Sequence, residues 1–522
     1  MTTPTFSLPT WLTPTHLSTL QRGIEKEGLR MADTGYSAKT PHPHSLGSKL
    51  THPYITTDYS ENLLELITPP YKTIDEALEM LTKLHILVHK SLENNEVMWG
   101  LSMPCMLSDK DKDIPLADYG TSNIGKLKTL YRSGLGVRYG RKMQTIAGLH
   151  YNFSIGDELF NAWYETTDKA ISFAEFKNAK YLALIRNFKR LSPIVLYLTG
   201  ASPSVCACFV KGKDHNLQPL TEQKNSYYAP NATSLRMGKL GYTNSVQKDL
   251  DIRYNDLNEY IKGLRGAIRT PFADFTAIGV DDKDGNPIQI NDHILQIENE
   301  FYSPIRPKQI TKSGETPTAA LDERGIAYIE FRAIDLDPYS PIGISKTTAC
   351  FLEILALYCL LTPSAELLPD EEQEIAQNIE TIVNNGRDDK VEILVDGQSV
   401  NFKEWLLNHL TKMQDIAEIF DKSYQTSDYG NALKQMQSLA NNSDLTPSAR
   451  LIKDSLEYGS TWRAGKALSD KHRETLLATP ISDEDLAHFE TIAKASWDEQ
   501  KSLENQDDVS FYDYVQQYRH FE

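Results

Sequence analysis

The sequence has few cysteines, no long apolar run and a shortage of basic residues, and each of these excludes a class of protein. Its five cysteines include no CxxC pair, which argues against a disulfide framework and a structural zinc site. Cys206-Ala207-Cys208 is interpreted as two buried thiols. No apolar stretch reaches the about 20 residues that cross a bilayer, so no membrane association is expected. Lys and Arg number 54 against 71 Asp and Glu, and the net charge of −17 disfavours nucleic acid as a partner.

The composition changes along the chain and suggests two parts. Residues 1–21 lack a basic start followed by an apolar segment and a small-residue cleavage site, so a cytoplasmic location is expected. After Pro363 the sequence becomes acidic and helix-forming, with helix-start signals such as Thr446-Pro447-Ser448. We therefore expect a catalytic domain over residues 1–362. A mainly helical C-terminal region, residues 363–522, is expected to pack on it.

Periodic patterns predict both helices and strands in the first part. Apolar residues at helical spacing predict helices over residues 75–93 and 173–198. Strict alternation over residues 148–155 predicts a half-buried strand whose polar face carries His150 and Asn152. The Gly, Pro, Asn and Ser-rich stretch from 200 to 244 is long enough to predict a functional loop.

Residues 55–69, ITTDYSENLLELITP, place three acids inside an otherwise apolar, β-branched run. This composition predicts a strand, with Glu61 and Glu65 on one face of it. Asp58 and Glu65 are seven positions apart, so an unbroken strand would turn them to opposite faces. If both serve one site, a bulge or turn near Ser60 is required.

Pairs of polar residues two positions apart recur in the other strand-like segments, and only a strand puts both members of such a pair on one face. The four pairs are Glu25 and Glu27, His150 and Asn152, Glu298 and Glu300, and Glu330 and Arg332. Each pair alone is typical of a solvated strand or a surface ion pair. Together they predict a sheet face lined with carboxylates, an imidazole and an arginine.

Mutual repulsion would destabilise such a face unless cations neutralised it. Oxygen ligands with one imidazole favour Mg²⁺ or Mn²⁺, and protein-bound Mg²⁺ often completes its shell with substrate phosphates. The pattern therefore predicts nucleotide chemistry. Guanidinium groups bind phosphates and carboxylates, although ordinary salt bridges are the alternative. The main candidates are Arg132, Arg236 and Arg332, and the further ones are Lys126, Arg138 and Arg306.

One motif is set aside. Residues 120–126, GTSNIGK, are close to a P-loop, but Leu127 stands where a hydroxyl would hold Mg²⁺, and no clear βαβ unit surrounds the motif. We expect no phosphate cradle of that kind here.

Seven long motifs resemble those of the bacterial type 1 glutamate-cysteine ligases, in order from about Arg22 to Gly343. They are RGIEKEGLR, ITTDYSENLLELITP, PLADYGTSNIGKLKTLYRSGL, MQTIAGLHYNFS, ATSLRMGKLGYTN, LQIENEFYSPIRPK and GIAYIEFRAIDLDPYSPIG. The resemblance implies an α+β fold, in which helices cover a curved antiparallel sheet like that of glutamine synthetase and a helical part follows. It also implies Mg²⁺ and ATP at one end of the site and amino acids at the other.

The resemblance implies roles for the matching residues, except Glu61 and Glu298. Arg132 and Arg332 would meet the transferred phosphate, with Glu27 as a third catalytic residue. The implied metal ligands are Glu25, Glu27, Asp58, Glu65, His150 and Glu330. The implied cysteine pocket comprises Tyr59, Tyr131, Leu135, Gln144, Arg236, Tyr242 and Tyr302.

The implied reaction is ATP-dependent ligation of the γ-carboxylate of L-glutamate to the amine of L-cysteine through a γ-glutamyl phosphate, the first step of glutathione biosynthesis. One alternative is a carboxylate-amine ligase of the same fold with another amine acceptor. Another is a metal-dependent phosphotransferase, which would form no amide. The complete acid and arginine set argues against a non-catalytic relative. A monomer is expected.

Overall fold

An antiparallel sheet of seven strands lies at the centre of the computed structural model, which describes residues 6–104, 106–241, 245–247, 250–312 and 314–521. The strands are β1 Gln21–Met31, β2 Ile55–Thr57, β3 Leu63–Ile67, β4 Val97–Met98, β5 Leu149–Ser154, β6 Ser204–Cys206, β7 Gln218–Pro219, β8 Ser226–Tyr228, β9 Ile305–Lys308, β10 Tyr328–Ile334, β11 Glu392–Val395 and β12 Gln398–Asn401. Six strands of the central sheet follow the order β2-β3-β1-β5-β10-β9, and β4 pairs with β1. The strands β6-β8-β7 and β11-β12 form two smaller sheets.

Helices surround the sheet and make up most of the chain after residue 362. In the first part they are α1 Pro14–Leu17, α2 Ile74–Ser91, α3 Asn123–Tyr139, α4 Asp157–Tyr164, α5 Phe173–Thr199, α6 Ala207–Val210, α7 Leu257–Ala267, α8 Ala273–Ile278, α9 Pro317–Arg324 and α10 Lys346–Leu361. After it they are α11 Pro369–Asn385, α12 Phe402–Lys412, α13 Gln414–Tyr424, α14 Asp428–Asn441, α15 Pro447–Glu457, α16 Thr461–Ala478, α17 Asp483–Glu504 and α18 Phe511–Phe521. The predicted α+β fold with an antiparallel sheet and a helical C-terminal part is confirmed.

The two faces of the sheet differ because side chains alternate along each strand. One face is apolar and packs on the helices: Ile24, Tyr151 and Phe331 are fully buried there. Phe331 of β10 meets Phe188 of α5, with ring centroids 4.7 Å apart. The opposite face carries acids such as Glu25, and it is the face that the site occupies.

Local sequence signals set the helices that cover the apolar face. α2 follows Thr73 and α5 follows Ser172, and each of these residues forms a capping box with the glutamate three positions on. Both predicted helices are therefore confirmed, although α2 is slightly shorter than expected. The predicted strand over residues 148–155 is also confirmed, as β5.

The prediction of a single strand over residues 55–69 is wrong, but the turn that it required near Ser60 is present. Two strands, β2 and β3, form an antiparallel hairpin in which Thr57 pairs with Leu64. The chain reverses between them, and Leu63 N–H donates to Ser60 O at 3.0 Å. Glu61 lies in this turn and does not share a strand face with Glu65.

Two further predictions are corrected, one of a strand and one of a loop. Glu298 and Glu300 belong to a short 3₁₀ helix, Glu298–Glu300, so their spacing does not place them on one strand face. The stretch from 200 to 244 is partly ordered as the small sheet β6-β8-β7 with α6, because Ser204–Cys206 and Ser226–Tyr228 pair as antiparallel strands. The C-terminal part also contains a hairpin, β11-β12, that its helix-forming sequence did not indicate.

The C-terminal helices pack on the first part at several places. α14 packs against α10, α16 against α2, and α18 against α3. Among the residues described, no helix combines the length and apolarity needed to cross a membrane.

Candidate active site

The strand register brings the predicted acids together on the polar face of the sheet. Glu65 of β3 lies directly opposite Glu27 of β1, and Glu25 lies opposite His150 of β5. On the other side of β5, Glu330 of β10 lies opposite Asn152. Directly opposed residues of antiparallel strands have neighbouring side chains on the same face, so four strands contribute to one cluster.

His150 stands at the centre of this cluster. Its Nδ1 lies 3.2 Å from Glu25 Oε2 and 3.8 Å from Glu330 Oε1, and its Nε2 lies 3.8 Å from Glu27 Oε1. One ligand atom from each of Glu25, Glu65 and His150 lies within 4.8 Å of the other two. Asn152 Nδ2 donates to Glu25 Oε1 at 2.9 Å and orients that carboxylate.

The hairpin turn brings Asp58 to the same cluster and takes Glu61 away from it. Asp58 lines the cavities described below together with Glu27 and His150. The Glu61 carboxylate instead accepts hydrogen bonds from Lys49 Nζ at 2.5 Å and from Asp118 N at 2.7 Å. Glu61 therefore stabilises the loop around the hairpin.

Without bound cations, burial disfavours the charged forms of three acids in this cluster. Burial and the Asp58 charge raise the pKa of Glu27 to about 8. Burial and the charges of Glu25 and Asp58 raise the pKa of Glu65 well above its ordinary value, and burial also raises that of Asp58. Three acids thus resist ionisation in the protein alone, which is expected of carboxylates whose counter-ions are ligands.

The other two acids have protein partners. Burial disfavours charge on Glu25, yet the hydrogen bond with His150 holds its pKa below the ordinary value. Burial also opposes charge on Glu330, but Lys308 and Arg332 hold its pKa well below the ordinary value. Arg332 Nη1 lies 2.9 Å from Glu330 Oε2, and Lys308 Nζ lies 3.3 Å from Glu330 Oε1.

Two cavities meet at this cluster. One, of about 410 Å³, contains all six predicted metal ligands in its wall. The other, of about 430 Å³, is lined by predicted pocket residues such as Tyr59, Gln144 and Tyr302. The wall common to both comprises Glu27, Asp58, Tyr131, Arg132, His150, Asn299, Arg306 and Arg332.

Several polar atoms in these walls have no partner among the described residues. Arg332 Nε, Arg306 Nε and the Tyr59 hydroxyl are buried without a hydrogen bond. Leaving such a group unsatisfied costs about 1–3 kcal/mol, so these atoms are suited to bind a polar ligand.

Comparisons with known proteins identify the family of this chain. The model of the glutamate-cysteine ligase family matches residues 10–382. The chain belongs to the glutamate-cysteine ligase family. It is 45% identical to the glutamate-cysteine ligase of Alcanivorax borkumensis over 511 residues, which cover 97% of this chain and 96% of that protein. It is 44% identical to that of Hahella chejuensis, with 97% and 96% covered. The resemblance that the motifs predicted is confirmed.

Solved structures extend the comparison to the fold. The glutamate-cysteine ligase of Francisella tularensis in complex with AMP matches with a TM-score of 0.90 at 35% identity, over 96% of this chain and 98% of that chain. A bifunctional glutathione synthetase of Pasteurella multocida shares the fold with a TM-score of 0.70 at 22% identity. That match covers 92% of this chain and 56% of the other.

Most of the other predicted residues also line the two cavities. Tyr131, Leu135 and Arg236 join Tyr59, Gln144 and Tyr302 around the larger cavity, while Tyr242 lies outside the described residues. Arg236 is buried, and its Nη2 donates to Arg332 O at 3.1 Å, so it also fixes the backbone at Arg332.

The additional candidate cations have different surroundings. Arg306 lines both cavities. Arg138 instead donates to Gln289 Oε1 at 2.8 Å and pairs with Glu300, and Lys126 lies over the ring of Phe511. Glu298 is also outside the cluster, because its carboxylate accepts Thr318 N–H at 2.7 Å.

Sequence reasoning missed four polar residues of the smaller cavity, Lys128, Asn299, Lys308 and Tyr518. Lys308 could have been found, since it ends a family motif two positions after Arg306 and therefore shares its strand face. Lys128 lies one turn before Arg132 on α3. Nothing local to the sequence signals Tyr518, because α18 reaches the cavity only through tertiary packing.

Proposed function

We propose that this chain joins the γ-carboxylate of L-glutamate to the amine of L-cysteine, with ATP converted to ADP and phosphate through a γ-glutamyl phosphate. The observation that carries the proposal is the wall shared by the two cavities. Arg132 and Arg332 line both sides, so a phosphoryl group bound between them has room for a nucleotide on one side and an amine on the other. The AMP bound to the Francisella tularensis relative supports use of an adenine nucleotide.

The smaller cavity suits Mg²⁺ or Mn²⁺ together with the phosphates of ATP. The donor set is five carboxylates and one imidazole, which matches the oxygen-rich ligation of these ions. The raised pKa values of Glu27, Asp58 and Glu65 agree with acids that need a cation nearby. Bound there, the metal would neutralise phosphate charge. The ligands would be Glu25, Glu27, Asp58, Glu65, His150 and Glu330.

In the first step the glutamate γ-carboxylate attacks the γ-phosphorus of ATP. Arg132 and Arg332 stabilise the charge on the transferred phosphoryl oxygens, and their partial burial makes that stabilisation stronger than it would be in water. Arg132 is held by hydrogen bonds to Asp58 O and Lys128 O, and Arg332 by Glu330, so neither needs to reorganise during the reaction. ADP then leaves, and the acyl phosphate stays at the shared wall.

In the second step the cysteine amine attacks the acyl carbon and displaces phosphate. Tyr59, Tyr131 and Gln144 surround the larger cavity and offer polar contacts to a small amino acid, and Leu135 offers an apolar one. The amine must lose a proton as the amide forms. A carboxylate at the shared wall, Glu27 or Asp58, or the departing phosphate accepts it.

The apolar end of the smaller cavity suits the nucleotide base. Leu127, Ile290, Ile297 and Tyr518 line it and belong to one apolar cluster. α18 is fixed at this place because Arg519 Nε donates to Ile290 O at 2.6 Å and Val515 is fully buried. An aromatic ring with aliphatic neighbours is a typical surface for stacking a base. We assign Tyr518 to the purine.

The test is an assay of ADP release with Mg²⁺, ATP and glutamate, with cysteine or one of a panel of other amines, and mass spectrometry of the products. We expect ADP release that depends on cysteine and a γ-glutamylcysteine product. A phosphotransferase would release ADP regardless of cysteine and form no dipeptide. A higher kcat/KM for another amine would identify a different acceptor.

A further inference from the structure

Cys206 and Cys208 lie side by side at the edge of the small three-stranded sheet, far along the chain from the acid cluster. Cys206 ends β6, and Cys208 is the second residue of α6. A hydrogen bond joins their sulfur atoms at 2.7 Å. The two thiols therefore stand close enough for a disulfide to form with a small adjustment of the side chains.

The surroundings favour the reactive form of one of these thiols. The hydrogen bond with Cys206 lowers the pKa of the Cys208 thiol, and Leu107 N–H and the charge of Lys142 act in the same direction. The Leu107 N–H donates to Cys208 Sγ at 3.3 Å. The thiolate is the nucleophile in disulfide exchange. Because Cys206 is buried and Cys208 is half-buried, Cys208 is the attacking group of the pair.

The two cysteines of α10 differ from this pair in burial and in pKa. Cys350 and Cys359 are fully buried in α10, and burial raises the pKa of both thiols far above the ordinary value. Cys208, in contrast, is half-buried and lines a cavity of about 1000 Å³. Cys208 is therefore both accessible and favoured as a thiolate, whereas Cys350 and Cys359 of α10 are neither.

The same cavity carries positive charge. Lys39, Lys110, Lys211 and Lys213 line it, against Asp109 and Asp113. Lys211 pairs with Asp109 and Lys39 with Asp113. Lys110 and Lys213 are then in excess over the acids, so the cavity favours an anionic reactant over a neutral one.

We propose that Cys206 and Cys208 form a thiol–disulfide exchange site for a small disulfide that carries carboxylates. The Cys208 thiolate attacks one sulfur of the small disulfide, breaks its S–S bond and releases one thiolate. Cys206 loses its proton and attacks the mixed disulfide, so that a Cys206–Cys208 bond forms and the second thiolate leaves. The two protein thiols are oxidised, the small disulfide is reduced, and their two protons go to the released thiolates.

The experiment treats the reduced full-length protein with 3,3′-dithiodipropionate, then alkylates it and maps its peptides by mass spectrometry. We expect the peptide with Cys206 and Cys208 to lose two hydrogens, while Cys350 and Cys359 stay reduced until the protein is denatured. Equal resistance of all four thiols would overturn the proposal. A disulfide that includes Cys105 would overturn the pairing.

Two serine variants test the order of attack. Cys206→Ser should stop at a mixed disulfide on Cys208, whereas Cys208→Ser should form neither product; a mixed disulfide on Cys206 would overturn the assigned nucleophile. The neutral 2-hydroxyethyl disulfide tests the charge, and the anionic reagent should react about tenfold faster at low salt. Equal rates for the two reagents would overturn the preference for an anion.

Discussion

Strand β1 carries buried charged residues on both faces of the sheet, and the two faces differ in how far the protein itself neutralises those charges. On the core side Arg22 meets Glu353 of α10 with two hydrogen bonds, at 2.7 and 2.9 Å. The hydroxyls of Tyr151 and Tyr429 also donate to that carboxylate, at 2.7 and 2.8 Å. On the site side, Glu25 and Glu27 belong to a cluster in which acids outnumber their partners.

This difference separates structural charge from functional charge. Glu353 has a partner for each oxygen, and a buried pair that is fully hydrogen-bonded needs no ligand. Glu27, Asp58 and Glu65 have raised pKa values because they are buried and the nearby arginines compensate their charges only in part. Buried charges on the core face are therefore neutralised within the protein, whereas those on the site face require bound cations.

The largest effect is expected from Glu27→Gln on the site side. Turnover should fall by about 10³-fold, since the variant loses a carboxylate at the shared wall that no neighbour replaces. Circular dichroism and the melting temperature should show an intact fold, because the metal-free fold holds Glu27 protonated at neutral pH and glutamine is similarly neutral. ADP release with near-normal kcat would contradict the metal-ligand assignment.

Arg22→Met on the core side is expected to lower the stability of the protein and to leave turnover nearly unchanged. Breaking a buried pair leaves Glu353 without its cation and should cost about 3 kcal/mol of unfolding free energy. Turnover per folded molecule should change little, because Arg22 touches neither cavity. Urea unfolding measures the loss, and the double variant Arg22→Met with Glu353→Met should recover much of it. If the single variant instead lost turnover without losing stability, the two sides would not differ as described.

The pH dependence of stability should also distinguish the two sides. The pKa of Glu27 is about 8 in the fold, against 4.5 when exposed, so the folded state holds a proton that the unfolded state has released between those values. Stability of the metal-free protein should therefore fall as the pH rises from 4.5 to 8. Glu27→Gln should flatten this slope, and Mg²⁺ should raise stability most at the high end. Melting curves across this range would refute the prediction if the slopes of wild type and variant were equal.

A smaller effect is expected where the C-terminal helix meets the nucleotide cavity. Tyr518→Ala should raise the KM for ATP about tenfold by loss of stacking, with little change in the KM for glutamate. Tyr518→Phe should retain most of the affinity. Tyr512 is exposed on the same helix, so Tyr512→Ala is the matched control and should leave both KM values unchanged. Equal effects of Tyr518→Ala on both substrates would argue for a structural role instead.

Much of this site could be predicted because alternation along a strand is a local property. Glu25, Glu27, His150 and Glu330 lie on the predicted face because their segments are strands. Glu298 and Glu300 have the same spacing but form a 3₁₀ helix, so the inference failed where the local structure differed. Spacing reports a shared face only when the backbone is extended.

What could not be predicted depends on contacts between distant parts of the chain. Glu61 has the same chemical character as Glu65, and only the hairpin and the approach of Lys49 and Asp118 N–H distinguish them. Tyr518 reaches the smaller cavity through contacts of α18 with a loop more than 200 positions away. The hairpin β11-β12 likewise depends on pairing that the acidic, helix-forming composition did not indicate.

The most direct test of the account is titration of Mn²⁺ into the nucleotide-free protein, followed by electron paramagnetic resonance. Wild type should bind Mn²⁺, and Glu65→Gln should bind it about 10-fold or more weakly. Glu61→Gln is the matched control, a buried acid of the same hairpin that should leave Mn²⁺ affinity unchanged. Equal Mn²⁺ affinity in wild type and Glu65→Gln would contradict the claim that the carboxylate face of the sheet is a metal site.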